Sequence, residues 1–322
     1  MKLSSRFFHW SMISQPMKNL VVFYVALAVL NLIGIGFINA KYILLSDIVL
    51  IALTVFYYYP EIGLYLMIFL YPFSGWQLTF DSINLPYSDL AALMLFVSVA
   101  LKITVQVIVG KETFKNIFKE NFPSALFAGL FFLAGFLSLI NVDFRMSSIK
   151  YLLRPMIFFY LMFVVLPHYL IKDKVVFKRA LYSFLAAGLV VAGLGLLSVV
   201  LPQGANVNLH RAVPYAIAGF NLVAGNQNAI AEILIVVLPI TMLLFLLTEK
   251  IKERGWYVLI GILFCFVTLM TFSRAGWLAL MVELLVLYFI QRRHLVNRYV
   301  LAAIIFVVIL VLAIFYFTVW QN

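Results

Sequence analysis

Arg274 stands in the run Thr271-Phe272-Ser273-Arg274-Ala275-Gly276-Trp277, a polar break between two apolar stretches. A guanidinium there offers a planar fork of donors to phosphate oxygens, and a helix starting behind it adds backbone N–H groups and the positive end of its dipole. The chemistry is anion binding. An arginine snorkelling from a helix end to lipid headgroups fits the same position, and the residues alone leave both readings open.

Arg154, in Tyr151-Leu152-Leu153-Arg154-Pro155-Met156, follows Arg145 and Lys150. Lys150 and Arg154 are four apart, a spacing that puts both on one helical face. With Asp143 the one acid near them in the sequence, these cations fit a polyanionic ligand, but taken by themselves they favour headgroup anchoring. His210-Arg211, in a long polar linker, either joins the same site or lies on solvated loop surface. Gly225-Asn226-Gln227-Asn228-Ala229-Ile230-Ala231-Glu232 is unusually polar for membrane depth. Asn226 and Asn228 are expected to cap or break a helix, and Glu232 to pair with an arginine or to act as polar glue between helices. Asp47 and Glu283 read as structurally paired acids within apolar runs.

Other chemistry is poorly supplied. No two acids have metal-ligand spacing with a His or Cys, and no Asp-x-Asp occurs, so neither a metal nor another cofactor is expected. Cys265 is the single cysteine, which rules out a disulfide or a cysteine metal site within the chain. Of the four histidines only His210 falls on the side of the arginines.

The elements that must position these residues are membrane helices. Of 322 residues, 66% are hydrophobic and 11% charged, against roughly 25% charged in a soluble domain. That excludes a water-soluble fold, and the absence of Gly-rich phosphate-binding runs excludes a separate Rossmann or P-loop module. At about 20 residues per crossing, the apolar content suffices for about eleven spans. They are expected near Met17 to Ile38, Tyr42 to Tyr59, Ile62 to Trp76, Leu90 to Val109, Phe122 to Ile140, Tyr151 to Leu170, Leu181 to Leu201, Leu222 to Leu247, Trp256 to Phe272, Trp277 to Ile290 and Tyr299 to Trp320. The expectation is an all-α polytopic membrane protein, a bundle of about eleven transmembrane helices forming a single domain over residues 1–322.

With a cytoplasmic amino terminus, alternating crossings put 17 of the 23 Lys and Arg on the cytoplasmic side, as short loops that stay inside should have it. Lys41, Arg145, Lys150, Arg154, Arg211 and Arg274 remain outside, together with two long linkers, Gln77 to Asp89 and Pro202 to Asn221. Topology thus explains most of the net charge of +11, and no nucleic-acid partner is expected.

Thr271-Phe272-Ser273-Arg274-Ala275-Gly276-Trp277-Leu278-Ala279-Leu280 resembles the Ser-Arg-Gly/Ala motif of the O-antigen ligase and O-antigen polymerase superfamily. Gly225-Asn226-Gln227-Asn228-Ala229 is similar to its Gly-Asn-x-Asn segment, and Leu153-Arg154-Pro155 to its outer-face arginine. The resemblance implies a polytopic glycosyltransferase of the bacterial cytoplasmic (inner) membrane, serving cell-envelope polysaccharide assembly. Its donor is a glycan on a polyprenyl diphosphate such as undecaprenyl diphosphate, and its acceptor a hydroxyl of another glycan or lipid. It also implies that Arg274 and Arg154 hold the leaving diphosphate, with Arg211 a weaker member. The family carries a large outer loop with a histidine base after this region, and the chain stops at Asn322 where that loop would begin. A truncated chain or fragment, inactive alone, is therefore expected, with an intact chain that works with a partner as the alternative. The rival reading is a transporter or flippase for a lipid-linked or anionic saccharide, which also gathers arginines and broken helices around a cavity; the one-sided cations and the lack of a repeat favour the enzyme.

Overall fold

A computed structural model describes Tyr24, Asn31 and residues 40–80, 83–110, 122–141, 148–149, 152–203, 210–223 and 225–291. The chain divides into two compact units, Met1–Thr54 and Val55–Asn322. In the first, Asn31 Nδ2 donates to Asp47 Oδ2 at 2.6 Å, so this intramembrane acid is paired, as expected, through one of its oxygens. Helix α1 (Ala40–Tyr58) begins in that unit and ends in the second.

The second unit opens with α2 (Pro60–Leu70), whose first residue is proline. Proline tolerates that position because its missing N–H has no helical partner there, and it pushes Tyr59 out of helical geometry. Two separate short spans were expected here. Residues 46–58 and 60–70 are instead long and apolar enough to cross a membrane only in combination, as one broken segment, and the chain turns at Tyr71-Pro72.

Five further helices are long and apolar enough to cross a membrane: α3 (Tyr87–Ile108), α5 (Leu152–Leu170), α6 (Lys174–Val200), α7 (Gln227–Leu247) and α8 (Ile251–Met270). Between α3 and α5 lies the shorter α4 (Ala125–Ser138), and α9 (Arg274–Gln291) follows α8. The protein is an all-α polytopic membrane protein, and among the described residues strands occur only as two small hairpins in the linkers. In one, β1 (Gln77–Phe80) pairs with β2 (Ile83–Pro86) in antiparallel register, Gln77 opposite Pro86. In the other, β3 (Ala216–Ile217) and β4 (Phe220–Asn221) are joined by Ala218 and Gly219, both at positive φ. That is the twist a two-residue hairpin turn needs.

Small residues let the helices of the core approach closely, the usual solution where lipid offers no hydrophobic drive for helix association. A Cβ added to Gly188 of α6 would meet Val237 of α7 at 2.8 Å, and one added to Gly195 would meet Val267 of α8 at 2.8 Å and Ile230 of α7 at 3.7 Å. Gly188 with Val237 and Gly195 with Ile230 define an antiparallel α6–α7 pair. Leu64, Leu95, Ile230, Leu234 and Phe264 are fully buried in the resulting core. No residue of α4 is buried, and most of its apolar side chains are exposed, the side-chain pattern of a helix with lipid around most of its surface.

The register sets one end of the bundle. Asp173 Oδ1 accepts from Val175 N and Val176 N, both at 2.8 Å, and starts α6 at the end away from Leu201. Lys172, Lys174, Lys178 and Arg179 lie beside that cap, and the α7–α8 connection adds Lys250, Lys252 and Arg254. Lys250 pairs with Glu253 at 3.0 Å, and this hydrogen bond and charge raise its pKa above the ordinary lysine value. The opposite end carries the starts of α3, α5, α7 and α9.

Candidate functional site

The turn between α8 and α9 is built by its own polar side chains. Thr271, fully buried, donates from Oγ1 to Thr268 O at 2.6 Å and accepts from Ser273 N at 3.2 Å. Phe272 takes a left-handed φ of 53°, which reverses the chain. Ser273 then caps α9 by accepting from Gly276 N at 3.1 Å, the N-cap geometry expected of serine. Trp277 fixes the corner from inside, with Nε1 donating to Leu269 O at 3.0 Å. Arg274 is thereby held at the first position of α9, exposed, and it has no ion pair or hydrogen-bond partner among the described residues.

The loop bearing His210 and Arg211 docks on this corner. Ala212 N donates to Met270 O at 2.8 Å, Val213 N donates to Ser198 Oγ at 2.9 Å, and His210 Nδ1 lies 3.0 Å from Val199 O. Ser198 Oγ also donates to Gly195 O at 2.7 Å and contacts Arg211 O at 3.3 Å. Arg211 and Arg274 therefore belong to the same end of the bundle, each next to the C-terminus of a neighbouring helix.

Asn226 is the N-cap of α7, its side chain accepting from Asn228 N at 2.9 Å. Asn226 thus caps the helix with its side chain, while Asn228 contributes its backbone N–H. One turn on, Glu232 projects into a cavity of about 230 Å³ that is also lined by Tyr71, Ser74, Ser88, Asp89, Arg154 and Phe159. Its walls are well tied. Gly75 N donates to Leu222 O at 3.1 Å, Tyr87 N to Trp76 O at 3.1 Å, and the rings of Trp76 and Tyr87 pack at a tilt of 46° with centroids 4.7 Å apart. On the α5 side Tyr71 meets Phe163 edge-on at 5.4 Å, and Phe163 meets Phe159 the same way.

Arg154 is reached by a stretch of π-helix, Leu152–Phe158, a wider turn that recurs at functional positions. Its sequence neighbourhood supplied only Asp143 as an acid. The structure supplies Asp89: Oδ2 accepts from Arg154 Nη2 at 2.7 Å and from Nε at 3.1 Å. Asp89 is 5% exposed while Arg154 is 51% exposed, so the carboxylate is sunk in the wall and the guanidinium reaches over it. Glu232, expected either to pair with an arginine or to act as polar glue, makes no ion pair among the described residues and shares the cavity with Arg154. The signal for Asp89 was present in Pro86-Tyr87-Ser88-Asp89, an acid in the first turn of an apolar run, where a helix dipole favours it.

Arg274 and the cavity stand on opposite sides of α7. A Cβ on Gly276 would lie 2.8 Å from Ala231 Cβ, so α9 starts against Ala231. At about 100° per residue, Ala229, Glu232 and Ile233 form the cavity face of α7 and Ala231 points away from it. One expected site is thus two neighbouring ones at the same end. Arg145 and Lys150 lie outside the described residues, and Glu283, expected to be paired, has no partner for either carboxyl oxygen among them. No cluster of three potential metal ligands occurs among the described residues. Comparison with family models, with curated proteins and with solved structures returned no match.

Proposed function

We propose that this chain acts as a polysaccharide ligase or polymerase of the O-antigen ligase type, a metal-independent glycosyltransferase working at the outer face of a bacterial cytoplasmic membrane. One observation carries the reading: the three segments that resemble the superfamily, around Arg154, Asn226 and Arg274, are distant in sequence and converge on one end of the bundle. Eleven crossings with a cytoplasmic amino terminus complete the proposal, supported by the gathering of Lys172 to Arg179 and Lys250 to Arg254 at the other end.

In the proposed reaction an acceptor hydroxyl oxygen bonds to the anomeric carbon of the donor glycan. The bond from that carbon to the polyprenyl diphosphate breaks, and its electron pair stays on the diphosphate. Charge grows on the leaving group, so a fixed guanidinium stabilises the transition state more than the ground state. Arg274 suits that role because no acid neutralises it among the described residues. Arg211 sits on the loop pinned beside it, whereas Arg154 lies across the α7 N-terminus with its charge balanced by Asp89 and is left out of the diphosphate role.

The test is transfer in proteoliposomes from an undecaprenyl-diphosphate glycan to a soluble glycan acceptor, in the presence of a metal chelator. Product formation that depends on Arg274 supports the reading. Movement of intact lipid-linked glycan between leaflets without any transfer overturns it in favour of a flippase.

A further inference from the structure

We infer that the cavity between α3, α5 and α7 excludes anions and takes an uncharged polyhydroxyl unit, a single sugar ring of a longer chain, with Asp89 and Glu232 as acceptors and Arg154 as donor. The inference rests on the glycan-transfer reading for one point only, that this sugar belongs to the acceptor.

Formal charge is the first reason. Arg154 contributes one positive charge, Asp89 cancels it at 2.7 Å, and Glu232 adds an unpaired negative charge on the facing wall. A diphosphate entering there would meet the Glu232 carboxylate, and could take up the whole Arg154 fork only by displacing Asp89. Asp89 is nearly fully buried, and leaving a buried charge without its partner is among the costliest changes a site can make. The pair therefore stays closed, and the cavity as a whole repels anions.

The second reason is the mix of groups. Glu232 offers lone pairs, Arg154 keeps N–H groups beyond the two that bind Asp89, and Ser74 and Ser88 can do either. A hydroxyl both donates and accepts, so a polyol can satisfy all of them. An organic cation could pair with Glu232 but would leave the remaining Arg154 donors without an acceptor. Tyr71 and Phe159 add aromatic surface to the lining. The volume of about 230 Å³ is below the roughly 300–1,000 Å³ of pockets for larger ligands, which limits the occupant to one ring.

The test uses Ser74→Cys in a Cys265→Ser background, reconstituted in nanodiscs, with Ser88→Cys as a second reporter should the first fail to fold. Rates of modification by cationic and anionic methanethiosulfonate reagents are normalised to a free thiol. The cationic reagent is expected to react about tenfold faster, with Glu232→Gln removing most of the difference. Glucose, galactose, rhamnose or N-acetylglucosamine is expected to protect the thiol, and inorganic pyrophosphate to give no protection. Faster anionic modification, protection by pyrophosphate, or protection by none of the four sugars overturns the inference. Binding of undecaprenyl diphosphate to wild type and Arg274→Ala is measured in parallel. Arg274-dependent binding without sugar protection would leave the diphosphate role standing while the cavity assignment falls.

Discussion

Asp89 and Arg154 are 65 positions apart in the chain, yet a single carboxylate oxygen of Asp89 accepts from both Nε and Nη2 of Arg154. The pair ties the first turn of α3 to the π-helical start of α5, and it converts what reads in sequence as a free cation into a neutral unit. Its asymmetry matters as much as its length. The acid is buried and the base is half exposed, so the two partners do not respond alike to mutation.

Arg154→Met should therefore destabilise the protein by about 1–3 kcal/mol, because it leaves Asp89 buried and unsatisfied. Asp89→Asn should cost less, since an amide oxygen still accepts from the guanidinium. A double-mutant cycle read by thermal unfolding in detergent should show a coupling of about 0.5–3 kcal/mol. Strictly additive effects would mean that the pair contributes nothing to the fold.

Arg274→Ala should leave expression and melting temperature unchanged and slow glycan transfer by on the order of 100-fold, the loss typical of one preorganised donor to a developing anion. Arg274→Lys should restore only part of the rate, because a point charge cannot reproduce a bidentate fork. An arginine that merely snorkels to headgroups predicts full activity with lysine. Wild-type rates for both variants at equal protein level would remove Arg274 from the diphosphate site.

Gly276→Ala should destabilise the α7–α9 contact by about 1–3 kcal/mol, because the new methyl meets Ala231 Cβ at 2.8 Å and neither backbone can yield without a shift. Gly193→Ala in α6 is the control. Nothing lies within 4 Å of its added Cβ, so the helix should gain about 0.4–1 kcal/mol. Equal melting temperatures for the two variants would contradict the close approach of α9 to α7.

Cysteine labelling from outside, in a Cys265→Ser background, should modify position 208 and spare position 115. The first lies in the linker proposed to be external and the second in a lysine-rich segment proposed to be cytoplasmic. Labelling at 115 would invert the bundle and move the arginines to the cytoplasmic face.

By itself the sequence determined the class of fold, because the polar groups of a membrane-spanning backbone leave so apolar a chain nothing but helices. It also placed most described helix starts within a turn or two: Asn226 announces α7 by its capping chemistry, and the polar break at Thr271 to Ser273 announces α9. The break at Tyr59-Pro60 was less legible, since two short apolar runs look alike whether they are two crossings or parts of one. The site was legible as a set of residues and not as an arrangement. Nothing in the residues around Arg154 points to Asp89, because their pairing depends on how α3 and α5 pack. Nor does the spacing of Ala231 and Glu232 tell which side of α7 receives α9. Only the tertiary structure decided that Arg274 stays uncompensated among the described residues while Arg154 is neutralised. Charge compensation acts over a few ångströms, and packing alone sets which side chains come that near.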